Sequence, residues 1–296
     1  MRVATTLEAL RLARQSLPEP FGLVPTMGFL HEGHLSLVRR ARAECASVGV
    51  SIFVNPTQFG PREDLAGYPR DLERDLRLLD TGGVDLVWTP SVDEMYPPGF
   101  QTWVTVEEVS HGLEGARRPG HFRGVATVVA KLFNAFEPQR AYFGQKDAQQ
   151  VAVIQRMTKD LDFPLEIVGP TVREADGLAM SSRNAYLNPQ ERQAATALYQ
   201  ALTAAQRAFK AGERDSDALR GMMGEVLAGE PLAQTIYISA GDPDTLRELS
   251  GRTDRALLSL AVLIGETTLI DNMVVGAESA REALNAHVPY SGAAPR

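Results

Sequence analysis

FGLVPTMGFLHEGHLSLVRRARAECASVGVSIFVNP, residues 21–56, decides the reading of the chain. It opens on a short apolar run around Phe21 to Val24 that reads as a buried strand and then passes a glycine-containing turn. A helix follows from about Gly33 to Ala46, with Leu35, Leu37, Val38 and Ala41 along it, and VGVSIFVNP supplies a second β-branched run suited to a parallel strand. The stretch is a βαβ opening.

The alternation continues on both sides. Residues 6–16 carry helical spacing in Leu7, Leu10 and Leu12. Beyond the polar loop TQFGPREDLAGYPRD, ERDLRLLDTGG reads as a helix and VDLVWTP as a strand; GVATVVAKLFNAF, AYFG, DAQQVAVIQRMTKDL and LEIVG then read as helix, strand, helix and strand. This predicts an α/β class: an open parallel sheet with helices on both faces, running through residue 169. From residue 170 the character changes. NPQERQAATALYQALTAAQRAFKAGE reads as one long Ala-rich helix, with Asn188 as N-cap and Pro189 in its first turn. LRGMMGEVLAG, TIYISA, RALLSLAVLIG and TTLIDNMVV complete a smaller α+β C-terminal domain, so the expected division is 1–169 and 170–296, with SGAAPR as a disordered tail.

Composition narrows the function classes. With 296 residues and 44% hydrophobic content, the chain can bury a sizeable core, and its formal net charge of -7 argues against nucleic acid or an anionic membrane as a partner. Any anionic ligand must be met by local positive groups. A single cysteine, Cys45, excludes an intrachain disulfide and a Cys-rich metal site. The N-terminus lacks the apolar core of a signal peptide and no stretch approaches a membrane span, so a soluble, cytoplasmic protein is expected.

The chemistry concentrates in a few blocks. His31 and His34 could be metal ligands, phosphate donors or ordinary helix residues. The metalloprotease pattern H-E-x-x-H spaces its histidines by four, whereas here Glu32 and Gly33 separate them by three and no further ligand set is evident. Thr26, Met27, Gly28 and Gly33 put small, flexible backbone after a strand, where open α/β sheets bind ligands and a helix N-terminus offers N–H groups to an anion. The pattern is neither G-x-G-x-x-G nor a P-loop; it is H-x-G-H.

FGQKDAQQ, residues 143–150, offers Lys146 as a point charge for phosphate, Asp147 as a helix N-terminal residue and Gln150 as a neutral donor and acceptor. READGLAMSSRNAYL, residues 173–187, offers hydroxyl and guanidinium donors in Ser181, Ser182 and Arg183, although serines also suit an ordinary turn. VSIFVNPTQFG, residues 50–60, places Asn55 and Gln58 after a strand, and RRPGHFRGVATVVAKLFN, residues 117–134, places Arg118 and His121 before a helix.

PTMGFLHEGH resembles the H-x-G-H signature of the nucleotidylyltransferase superfamily, and the five blocks together, in this order, resemble the pantothenate synthetase (pantoate–β-alanine ligase) family. The resemblance implies a Rossmann-like domain, a small C-terminal domain that closes over ATP, and a homodimer. It implies ATP-dependent joining of pantoate and β-alanine through a pantoyl adenylate, with release of AMP and pyrophosphate, a step toward coenzyme A. By the same resemblance Met27, Gly28, Phe29, Leu30, His31, Glu32, Gly33 and His34 bind ATP, as do Gly144, Gln145, Lys146, Asp147, Val172, Met180, Ser181, Ser182 and Arg183. His34, His31, Lys146 and Arg183 are its implied catalytic groups, Gln58 and Gln150 its pantoate ligands, and Gln58 also its β-alanine ligand. Mg2+ is expected with ATP, without a named protein ligand. Gln145 stands where glutamate is common, and Leu263 and Thr268 stand where basic residues are expected. The rival readings are another H-x-G-H adenylyltransferase with a different acceptor and a non-catalytic nucleotide- or metal-binding module.

Overall fold

The computed structural model describes residues 1–60, 65–169 and 172–276. The chain divides into two compact units: Met1–Gly144 with Gln149–Gly169, and Gln145–Ala148 with Pro170–Arg296. The expected SGAAPR tail lies outside the described residues.

The first unit runs β1 (Arg2–Ala4), α1 (Leu7–Arg14), β2 (Phe21–Thr26), α2 (Glu32–Glu44), β3 (Ser47–Ile52), α3 (Leu72–Thr81), β4 (Leu86–Trp88), α4 (Val92–Met95), α5 (Leu113–Arg117), α6 (His121–Phe136), β5 (Arg140–Tyr142), α7 (Ala148–Asp160, which begins at the unit boundary) and β6 (Glu166–Val168). Its sheet has the order β1-β4-β3-β2-β5-β6, and every pair is parallel. Such strands are covered on both faces, which is why β2 and β3 are almost wholly buried and read as apolar runs. Chain order reverses between β2 and β5. Ligands of open α/β sheets bind outside the strands' carboxyl ends at such a reversal, and the turn containing His31 and His34 leaves the carboxyl end of β2.

β1 was not anticipated. Its three residues pair with β4 at the sheet edge and are too few to show a pattern. Val24, Leu37, Val38, Ala41, Val48, Val50 and Val87 join one buried cluster, so α2 packs its Leu37–Ala41 stripe on the central strands.

The second unit contains α8 (Pro189–Ala194), α9 (Thr196–Lys210), α10 (Ser216–Ala228) and an antiparallel sheet, β7 (Ala233–Gly241), β8 (Arg255–Ile264) and β9 (Thr267–Gly276), in that order. The single helix expected over 188–213 is two. At Ala195 the ladder tightens, with the Leu198 N–H bonding the Ala195 carbonyl at 3.3 Å, three residues back. Leu198, Leu202, Leu219, Met223, Leu258, Leu260 and Val262 form this unit's core. Leu263 and Thr268, the two departures from the basic pattern, face each other across the β8–β9 pair.

Candidate functional site

In the first unit the turn after β2 is built around Asp75, which sequence reasoning missed. Gly28 has φ 85° and Phe29 φ 51°, a left-handed pair that turns successive amides to one side. The Asp75 carboxylate accepts from Phe29 N at 2.7 Å and Leu30 N at 2.8 Å, and it is 1% exposed. A Cβ at Gly28 would lie 3.2 Å from that carboxylate and 3.1 Å from Ile52, so the position favours glycine for space as well as conformation. Arg74, next to Asp75, donates to the Leu30 carbonyl at 2.9 Å. The available sign was an acid facing the core on the amphipathic helix α3.

The two histidines form the N-terminal cap of α2. His31 is the N-cap residue, and its Nδ1 accepts from Gly33 N at 3.1 Å; the His34 Nδ1 accepts from His31 N at 3.3 Å. The rings lie 4.1 Å apart, centroid to centroid. An Nδ1 that accepts a backbone proton puts the proton of a neutral imidazole on Nε2, so both rings present Nε2–H as a donor. They do so at a helix N-terminus, where the dipole favours an anion. The Glu32 carboxylate pairs with Arg39, which argues against the zinc reading in which Glu32 acts as a base between two ligating histidines. Among the described residues no cluster of His, Cys, Asp and Glu is arranged to hold a metal.

Gln58 lies beside the same turn. It ends the short 3-10 turn Pro56–Gln58, whose N-cap is Asn55, a residue 1% exposed. The Asn55 Nδ2 donates to Gln58 Oε1 at 3.1 Å and to the Gly124 carbonyl at 3.2 Å, while Thr57 and the Tyr96 hydroxyl donate to Asn55 Oδ1, each at 2.9 Å. Asn55 therefore fixes the orientation of the Gln58 amide: Oε1 is taken, and Nε2 rests on Met27 Sδ at 2.9 Å, a weak acceptor. A Cβ at Gly124 would fall 2.5 Å from the Thr57 carbonyl, so glycine in α6 lets this turn approach. The Gln58 carbonyl lies 2.9 Å from His121 Nδ1, and Arg118 Nη1 lies 3.1 Å from His121 Nε2, which joins the fifth sequence block to the fourth. Burial raises the Tyr96 hydroxyl above its ordinary pKa, so it stays a neutral donor. In α7, Gln149 is buried and donates to the carbonyls of Val109 at 3.0 Å and Gly112 at 2.8 Å. Its neighbour Gln150 is half-buried, and its side-chain amide has no hydrogen-bond partner among the described residues. Gly144 follows β5 in the same unit.

In the second unit the Gln145–Asp147 turn carries Lys146, whose Nζ lies 3.0 Å from Asp147 Oδ1. The Val172 carbonyl accepts from Met180 N at 3.0 Å, closing a small loop around Gly177. Ser181 caps the next 3-10 turn, Ser182–Tyr186, by accepting from Arg183 N at 3.2 Å. The bland reading of that serine as a cap is thus realised. Arg183 Nη1 reaches the carbonyl of Thr268 at 3.4 Å. Beneath these segments lies a buried network absent from the sequence-based expectations: Arg173 meets Asp271 in a bidentate pair at 2.6 and 2.9 Å, and Asn272 donates to the carbonyls of Gln145 and Lys146. Burial raises the Asp271 carboxyl while Arg173 pulls it down, with a net upward shift.

Residues 2–274 match the family model described as pantoate-beta-alanine ligase. A pantothenate synthetase from Roseiflexus sp. (strain RS-1) is 64% identical over 278 residues, covering 94% of this chain and 100% of that protein. The crystal structure of pantothenate synthetase from Thermus thermophilus superposes with a TM-score of 0.88 at 51% identity, covering 94% of this chain and 100% of the other. That of pantoate-beta-alanine ligase from Francisella tularensis, complexed with beta-gamma ATP and beta-alanine, gives a TM-score of 0.75 at 35% identity, covering 93% and 97%.

Proposed function

The chain belongs to the pantoate–β-alanine ligase family, and on that premise we propose how its residues carry the ligation. It is an enzyme that joins pantoate to β-alanine at the expense of ATP. In the proposed course a pantoate carboxylate oxygen attacks the α-phosphorus of ATP, the new O–P bond forms as pyrophosphate leaves, and a pantoyl adenylate results. The neutral amine of β-alanine then attacks the acyl carbon, AMP departs with that oxygen, and the amine gives up its proton.

The first step brings a carboxylate to a polyanion. Two unit charges about 4 Å apart repel by about 4 kcal/mol at an effective dielectric constant of 20, so neutral donors alone do not suffice. Lys146 and Arg183 supply positive charge, and Mg2+ accompanies ATP as part of the substrate, held by phosphate oxygens and water. His31 and His34 donate Nε2–H to phosphate oxygens as charge builds. The assignment rests above all on one observation: both Nδ1 atoms accept backbone protons, which puts the proton of each neutral ring on Nε2.

Backbone and side-chain groups of Met27 to His34, Gly144 to Asp147, Val172 and Met180 to Arg183 bind ATP in this reading. Gln58 and Gln150 bind the hydroxyl and carboxylate oxygens of pantoate through neutral amides, with Gln58 also near β-alanine. The Met27 thioether is an acceptor that a substrate oxygen readily replaces on Gln58 Nε2. The family resemblance also supports a homodimer, which light scattering checks, and a cytoplasmic location; among the described residues no helix is long and apolar enough to cross a membrane.

Pyrophosphate and AMP release from Mg-ATP, with pantoate and β-alanine supplied separately and together, tests the reading. Multiple turnover with both, and about one enzyme equivalent of pyrophosphate with pantoate alone, is expected. ADP and phosphate as products would overturn it.

A further inference from the structure

The Lys146 turn is tied to a distant strand through its backbone. It is three residues of 3-10 helix, and the bond from Lys146 Nζ to Asp147 joins adjacent side chains. The backbone is fixed from β9. The Asn272 side chain has one Nδ2 group with two protons, and Nδ2 lies 2.9 Å from the Gln145 carbonyl and 2.8 Å from the Lys146 carbonyl. Both protons are thereby committed to the two carbonyls that flank the Lys146 Cα on its N-terminal and C-terminal sides.

Asn272 is itself held on every side. It pairs with Ser259 in the β8–β9 register, its N–H donates to Asp271 Oδ1 at 2.7 Å, and its carbonyl accepts from Arg173 Nη2 at 3.0 Å. Arg173 completes its fork on the Asp271 carboxylate and the Gly177 carbonyl. Asn272, Asp271 and Arg173 are 5%, 2% and 6% exposed, so these bonds are shielded from competing water. We propose that Asn272 is the positioning residue for Lys146, with the Arg173–Asp271 pair as its mount. The proposal rests on the reading of Lys146 as a phosphate-binding group. The same mount reaches the ATP-binding loop, because Arg173 is bonded in sequence to Val172, whose carbonyl takes Met180 N. One buried cluster thus ties two of the candidate nucleotide segments of this unit together.

The test is a double-mutant cycle in the full-length enzyme, with hydrogen exchange alongside. Asn272→Ala is expected to lower kcat/KM for ATP roughly 10- to 100-fold, the scale of a displaced binding group, while KM for β-alanine changes less than about twofold. In a Lys146→Ala background the same substitution is expected to cost less than about threefold, because the group it positions is gone. Amides of residues 143–150 are expected to exchange faster in Asn272→Ala, with β8 unchanged. Losses that multiply in the double variant, or unchanged exchange over 143–150, would overturn the proposal. Should the alanine variant fail to fold, Asn272→Asp keeps the size, loses both donors and carries the same cycle. An unsubstituted enzyme that forms no AMP would instead refute the reading of Lys146, and the exchange measurement would still decide whether Asn272 holds the turn.

Discussion

The histidine turn of the first unit and the lysine turn of the second are held in opposite ways. His31 and His34 accept from amides two and three residues away, so the rings are set by their own helix cap. The Lys146 turn is set by Asn272, 126 residues further along the chain, and Arg183 leans on Thr268, 85 residues on. A locally built group survives change elsewhere, whereas a remotely built group inherits the stability of the core that carries it. In the proposed nucleotide-binding roles, the histidine turn is therefore the robust element and the lysine turn the one open to disruption from within its unit.

Substitutions separate the two cases. The largest effect is expected from removing the proposed phosphate donors: His34→Ala and Lys146→Ala should each cost roughly two to four powers of ten in kcat, read by AMP formation. Normal turnover in both would break the account of either region. Next, Arg173→Met leaves the Asp271 carboxylate buried without its partner and should destabilise by about 3–5 kcal/mol in thermal or denaturant unfolding. An unchanged midpoint would mean that the mount under Asn272 is dispensable. Asp75→Ala should cost about 2–4 kcal/mol, since it strands one buried and one half-buried amide at a left-handed turn. That variant also tests how local the first region is, because Asp75 is a remote support, 45 and 46 residues from the amides it holds. Gln58→Ala should have the smallest effect, raising KM for pantoate and β-alanine about tenfold with KM for ATP unchanged. A selective loss of ATP affinity would move Gln58 out of the acid-binding role.

The same contrast explains what could be read from sequence. The parallel sheet was legible because its strands are buried on both faces and so are written as apolar runs, and the H-x-G-H turn was legible because its geometry spans four residues. β1 was not, being three residues at an edge. Nor was the break at Ala195, where an Ala-rich segment carries no breaker. Asn272 and the Arg173–Asp271 pair were invisible for a different reason, and Asp75 showed only as an acid on the core face of α3. Each acts on backbone or charge that only the folded chain brings near, and Asn and Asp in isolation read as turn or surface residues.

Oxygen transfer tests the central claim most directly. With pantoate labelled by 18O in its carboxylate, β-alanine and Mg-ATP, the adenylate route predicts one labelled oxygen in the AMP and one in the amide product. Unlabelled AMP, or label in inorganic phosphate, would contradict it.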